Sequence, residues 1–303
     1  MTTPDFRPPD SAYAQAVQWT GMDDPLVTPP GIGVNGWFQR ISGVFKRSGK
    51  SLALIFVITQ LAPTIVLAVA GVLLTARFLM PFQKELIDAS LDQRDPQFDI
   101  ELARFLGFLG VLAVVVFALF FLQLAGYAAA THTMTREAAG LPVTLGDSLA
   151  YGFRRCVGLF GWNVVVGLLV LAGLIACILP AFYVVAATAL VGPIYLFERR
   201  SPIGRSFTIF HNNLGRILGR LGLTVLVYYG GSIVISILQN IANAILGSTD
   251  PTVALPAAIG VSVAGAVLGV PLAMFLVVAI VVTYAEQRAY EAPTSVAHLA
   301  SEL

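Results

Sequence analysis

Charge is what this chain lacks. Asp, Glu, Lys and Arg make up only 12% of it, against roughly 25% in a soluble domain, while 57% is hydrophobic. Residues 51–76, 105–135, 156–197, 221–249 and 251–285 contain none of the four. A chain so composed cannot clothe most of its length in a water-facing surface. Its net charge of +1 gives no global pull toward nucleic acid. The two cysteines, Cys156 and Cys177, both fall in apolar stretches, which argues against a disulfide framework and for small buried hydrophobes. HExxH, P-loop, nucleophile-elbow and βαβ-type GxGxxG patterns are absent. We therefore expect neither a cofactor nor an enzymatic activity.

What is present is length without charge. A helix rises 1.5 Å per residue, so about 20 apolar residues cross a bilayer's hydrocarbon core. Four of the stretches suit one crossing each, and the 42-residue stretch at 156–197 suits two. The expected fold class is all-α: a polytopic membrane protein with crossings at about 51–79, 105–131, 157–178, 181–197, 220–247 and 255–285. The third and fourth should divide at Leu179-Pro180, because proline removes a helix donor and biases the residue before it away from helix. Residues 1–35 are proline-rich and read as a disordered cytoplasmic tail with no signal peptide; 291–303 read as a second tail. The membrane domain is then 36–290.

Six crossings put both ends on one side. Arg7, Arg40, Lys46, Arg47, Lys50, Arg136, Arg154, Arg155, Arg199, Arg200, Arg205, Arg216, Arg220 and Arg288 lie there, 14 of the 18 basic residues. Arg77, Lys84, Arg94 and Arg104 lie opposite. Basic residues flanking crossings stay cytoplasmic, so both termini are expected inside, in the cell membrane.

The odd-numbered crossings share an approach. Gly36 to Arg47 precedes the first, Leu145 to Arg155 the third and Pro202 to Asn213 the fifth. Aligning Phe45, Phe153 and Phe210 superposes Lys46, Arg154 and His211, then Arg47, Arg155 and Asn212. Phe207, Phe210, Leu214, Ile217 and Leu221 recur at helical spacing, as do Leu145, Leu149, Phe153, Val157 and Phe160. Ser201-Pro202 is a helix start, and Thr144 with Asp147 resembles a capping box. The expected unit is an amphipathic interfacial helix followed by a hairpin of two crossings, used three times.

Leu179-Pro180-Ala181-Phe182-Tyr183, then Gly192-Pro193-Ile194-Tyr195-Leu196-Phe197-Glu198 and Pro202-Ile203-Gly204-Arg205-Ser206-Phe207, carry a resemblance. They resemble the six-helix membrane domain found on some bacterial glycerophosphoryl diester phosphodiesterases and as stand-alone YciC-like proteins. The likeness extends over about 36–290, with its recognisable part near residues 179–207. It implies a six-helix membrane fold and, in fused members, a soluble phosphodiesterase domain. We expect no such domain here, since the chain ends at Leu303.

Polar groups within crossings need partners in hydrocarbon and so point to function. Asn163, Gln239 and Asn243 read either as the lining of a small polar cavity or as interhelical hydrogen bonds. The absence of charge from the apolar stretches argues against a proton relay. His132, beside Thr131 and Thr133, reads as a satisfied interfacial histidine, and the acidic loop around Asp88 and Asp92 as a solvated helical cap. Gly215-x-x-x-Gly219 and Gly265-x-x-x-Gly269 match a close-approach motif for helix packing.

The remaining candidate is a cytoplasmic basic collar of Lys46, Arg47, Lys50, Arg154, Arg155, Arg205, Arg216 and Arg220. It would serve topology alone or bind anionic lipids or a phosphorylated ligand. The leading reading is a non-enzymatic membrane scaffold or accessory component that engages anionic lipids or a protein partner, with no nucleic-acid partner. The alternatives are a transporter or lipid-handling protein with a polar path between hairpins, and a membrane anchor for a separate catalytic subunit. A reporter fused near Asp95 should read as external; a cytoplasmic readout there overturns the orientation.

Overall fold

Hydrocarbon offers no hydrogen bonds, so a spanning backbone must satisfy its own N–H and C=O groups, as a helix does. The computed structural model describes residues 24–74, 77, 80–93, 102–198, 201–246 and 251–303, and every regular element among them is helical. α1 (Gly33–Phe56) passes through a π-helical turn (Val57–Leu61) into α2 (Ala62–Leu74). Then follow α3 (Met80–Leu91), α4 (Leu102–Ala138), α5 (Leu145–Ala176), α6 (Ile178–Thr188) and α7 (Val191–Phe197). α8 (Pro202–Asn212), α9 (Leu214–Leu246), α10 (Pro251–Glu291) and α11 (Val296–Glu302) complete the order. Six runs are long and apolar enough to span: Gly33–Gly71, Leu109–Ala138, Leu145–Ala176, Ile178–Phe197, Leu214–Leu246 and Pro256–Glu291. The chain is a multi-pass membrane protein.

The core sits at one end of the bundle. Trp37, Leu52, Phe56, Ala128, Met134, Leu159, Ile194, Ile209, Val278, Val282 and Tyr284 form it, all buried. They come from both ends of α1, the later part of α4, the first half of α5, α7, α8 and the last turns of α10. At the far end large apolar side chains are exposed, among them Ile175, Leu179, Ile245 and Leu246. Lipid covers such a surface at no hydrophobic cost. α10, at about 60 Å for its 41 residues, is roughly twice as long as the hydrocarbon is thick. Its end from Val277 to Ala289 runs inside the protein core.

Helix–helix contact also relies on small residues. Gly152 of α5 lies so close to α4 that an added Cβ would stand 2.2 Å from the Ala125 carbonyl oxygen. A Cβ on Gly126 would meet Thr59 Oγ1 at 2.1 Å, opposite the π-helical turn. Phe160 stacks on Phe121 next to this seam, ring centroids 4.6 Å apart. The two GxxxG motifs contribute less: nothing lies within 4 Å of an added Cβ at Gly215, Gly219 or Gly269, and only Gly265 faces a neighbour, the Gln239 side chain.

Three sequence expectations meet a different local structure. The break between the third and fourth spans lies at Cys177, in extended backbone (φ 177°, ψ 161°), two residues before Leu179. Pro180 sits in the first turn of α6, where its missing N–H costs nothing. The first two approach segments run unbroken into their spans, whereas α8 is set off from α9 by Asn213 (φ −134°, ψ 35°). In α5 the apolar series divides: Phe153 and Val157 are 53% and 66% exposed, Leu149 and Phe160 pack against the core, and the small residues Ser148, Gly152 and Cys156 are buried beside Leu159. Lipid is as apolar as leucine, so small residues take the protein side and large ones face outward. Finally, described parts of both expected tails join the core. Leu26, Val27, Val296 and Leu299 are buried, and Asp24 accepts hydrogen bonds from the Leu26, Val27 and Val296 amides. Residues 1–23 lie outside the described residues.

Gly152→Ala should therefore destabilise the α4–α5 seam by about 1–3 kcal/mol, an overpacking cost. Gly219→Ala should stay within about 0.5 kcal/mol of the parent, as for a position without packing constraints. Thermal unfolding of both variants in one detergent checks the contrast; equal melting temperatures would refute it.

Candidate functional site

The core end of the bundle concentrates the polar chemistry, and it separates the collar residues into two groups. Arg205, Arg216 and Arg220 are engaged within the chain. Arg220 of α9 is 5% exposed and makes a two-pronged ion pair with Glu286 of α10, 2.9 Å from Nε to Oε2 and 2.7 Å from Nη2 to Oε1. Its guanidinium carbon lies 5.7 Å from the Trp37 ring, and Trp37 Nε1 donates to Thr283 Oγ1 at 3.0 Å. Arg216 stacks its guanidinium 3.2 Å from the centre of the Tyr290 ring, and the Tyr290 hydroxyl accepts from the Gly31 amide.

Arg205 belongs to a longer network. Its Nε donates to Glu198 at 3.0 Å and its Nη2 to Glu291. Glu198 also accepts from the Tyr284 hydroxyl at 3.1 Å and faces Arg288, which in turn donates to Glu302 at 2.9 Å. Burial alone would lower the Arg205 pKa, but the carboxylates of Glu291 and Glu198 outweigh it and hold the group above its ordinary range. The network ties α7, α8, α10 and α11 together.

The other collar residues remain available. Lys46, Arg47 and Lys50 are exposed on α1, opposite its buried Trp37, Ile41, Val44 and Ser48. Arg154 and Arg155 line a cavity of about 680 Å³ between the last turns of α4 and the first turns of α5. Arg136, His132, Tyr151, Asp147 and Leu303 share that lining.

Local capping builds this cavity. Gly140 takes a positive φ of 71° and lets the chain turn after α4. Thr144 then N-caps α5, its Oγ1 accepting from the Asp147 amide at 3.1 Å and donating to Asp147 Oδ2 at 2.7 Å. The anticipated pairing is present, with the carboxylate taking the Thr144 hydroxyl. Ser148, fully buried, sits 3.3 Å from His132 Nδ1 and accepts from Thr133 Oγ1 at 2.7 Å. His132 stacks on Tyr151, ring centroids 4.6 Å apart, and the Arg155 guanidinium stands 5.7 Å from the Tyr151 ring centre. Arg136 donates to the Pro142 carbonyl at 3.4 Å, but its Nε is buried without an acceptor among the described residues. A buried donor left so costs about 1–3 kcal/mol unless a ligand or water takes it.

The intramembrane polar candidates do not assemble. Asn163 is exposed and donates to the Leu159 carbonyl of its own helix at 2.8 Å. Gln239 reaches the Val261 carbonyl of α10 at 3.4 Å, and Asn243 is exposed. Among the described residues no group of three His, Cys, Asp or Glu comes together as a metal site.

Sequence reasoning placed Arg154 and Arg155 at this interface but counted Arg136 only for topology and read His132 alone. The signal that joins them was available: Arg136 and Arg154 flank a short proline-containing turn between two long helices. The acidic partners Glu198, Glu291 and Glu302 had no such signal, since their contacts span up to 86 residues of sequence.

No family model, curated protein or solved structure matches the chain. The likeness to the six-helix domain thus stands on the quoted residues alone.

Arg220→Met should destabilise the protein by about 3–5 kcal/mol, because it leaves Glu286 charged and buried. Arg220→Met with Glu286→Leu should recover most of that loss, since a buried pair replaced by apolar residues is often neutral. Thermal melting of the parent and the two variants decides it; a double variant as unstable as the single would show that the pair itself supplies the stability.

Proposed function

We propose that this is a non-enzymatic multi-pass protein of the bacterial cell membrane, with both termini cytoplasmic, serving as a scaffold or accessory component that engages anionic lipids. The observation that carries the reading is the division of the collar. Lys46, Arg47, Lys50, Arg154 and Arg155 stay exposed or line a cavity at the core end, while Arg205, Arg216 and Arg220 are spent on internal contacts. A basic residue at an anionic leaflet gains about 1 kcal/mol, screened by salt. The proposed architecture is three hairpins, each introduced by an amphipathic segment whose basic face meets the headgroups. The resemblance to the membrane domain of phosphodiester-hydrolase and YciC-like proteins agrees with a bacterial, membrane-bound role. The transport reading finds no support in Asn163, Gln239 and Asn243, which are separately bonded or exposed.

Lys46→Gln, Lys50→Gln, Arg154→Gln and Arg155→Gln combined should weaken retention of anionic lipid, about fivefold for each charge at low salt. Native mass spectrometry of the protein from a gentle detergent reads the retained lipid. Unchanged retention would reduce these cations to a topology signal.

A further inference from the structure

The cavity at the α4–α5 turn has more definition than a basic surface needs. We propose that it is a binding site for a phosphomonoester, an inference that rests on the anionic-lipid reading and narrows it to one headgroup chemistry.

Three guanidiniums, of Arg136, Arg154 and Arg155, line one space of about 680 Å³. A guanidinium presents a planar fork of donors that matches phosphate oxygens two at a time, and three such forks suit a group with three free oxygens. A phosphomonoester offers those three and a charge of about −1.5 to −2 at neutral pH. A phosphodiester offers two oxygens and one charge. Two acidic groups share the lining, the Asp147 side chain, which already accepts from the Thr144 hydroxyl, and the α-carboxylate of Leu303, so the three arginines still outnumber them.

Two further observations point to a ligand. Arg136 Nε is buried without an acceptor among the described residues, so a ligand engages it only once the side chain turns toward the space. Beside Arg155 the lining is aromatic: Tyr151 stacks on His132, which contacts Ser148, itself an acceptor from Thr133. The cavity falls within the range of small-molecule sites and has room beyond one phosphate. Its Pro142, Val143 and Ala150 surfaces suit a short organic portion such as glycerol.

A membrane lipid or a soluble metabolite could bring this group, and the experiment separates them. The full chain is placed in phosphatidylcholine nanodiscs doped with phosphatidate or, at equal mole fraction, with phosphatidylglycerol. Glycerol 3-phosphate is titrated separately by calorimetry. We expect about a tenfold preference for phosphatidate over phosphatidylglycerol, or saturable binding of glycerol 3-phosphate, the first assigning a lipid and the second a soluble source. Arg154→Gln with Arg155→Gln should abolish the preference, whereas Lys46→Gln with Lys50→Gln, outside the cavity, should preserve it. Arg154→Lys keeps the charge but loses the fork, and should lower the preference without changing the melting temperature. Equal retention of both lipids with no glycerol 3-phosphate binding overturns the proposal while leaving general anionic-lipid engagement intact. Loss of all anionic retention in both lipids removes the two readings together. A preference that survives Arg154→Gln with Arg155→Gln places it elsewhere and overturns the cavity assignment.

Discussion

The C-terminal end of α10 is the post to which the rest of the bundle is tied. Thr283 accepts from Trp37 of α1, Tyr284 donates to Glu198 beside α7, and Glu286 pairs with Arg220 of α9. Arg288 reaches Glu302 of α11, Tyr290 carries Arg216, and Glu291 accepts from Arg205 of α8. These contacts need polar side chains, which hydrocarbon penalises heavily. They are therefore kept inside the protein, each polar group with a partner. α10 is long enough for one part to be exposed and the other, from Val277 to Ala289, to serve as a buried polar axis.

Within the apolar layer the constraint is different. No hydrophobic force draws one helix to another there, because lipid tails are equally apolar. Close packing has to come from backbone approach, as where Gly126 faces Thr59. It also explains why large side chains such as Phe153 and Val157 lie outward. The molecule thus uses two cohesive rules along one axis, glycine contact in the membrane and ion pairs at its edge.

The same two rules decide what the sequence could disclose. Six apolar runs were legible because the solvent alone imposes them, and residue contacts hardly enter. The start of α5 was legible too, since Thr144 and Asp147 are neighbours whose bonds are local. The packed face of α5 was not. Helical periodicity of Leu149, Phe153 and Val157 marks an apolar face but not which of its members meet protein: Leu149 packs against the core, whereas Phe153 and Val157 are exposed. Gly215 and Gly219 match the close-approach spacing, yet nothing lies near them. Spacing records which residues share a face, whereas the neighbour on that face is fixed by tertiary arrangement.

The collar shows the consequence for function. Its members look equivalent in sequence, each a cation just before a crossing, and three aligned approach segments reinforce that equivalence. Their fates diverge because acidic partners are unevenly supplied. Glu198, Glu286, Glu291 and Glu302 all lie beyond residue 197, and Glu198, Glu286, Glu291 or the neighbouring Tyr290 engage Arg205, Arg216 and Arg220. Near α4 and α5 the acidic groups are Glu137, which accepts from Ser51, and Asp147, which accepts from Thr144. The arginines of that region keep donors to spare, and the turn after α4 gathers three of them around one space. Cations that align in sequence thus meet different ends, Arg205 in internal ion pairs and Arg154 and Arg155 around a cavity, through the placement of a few glutamates.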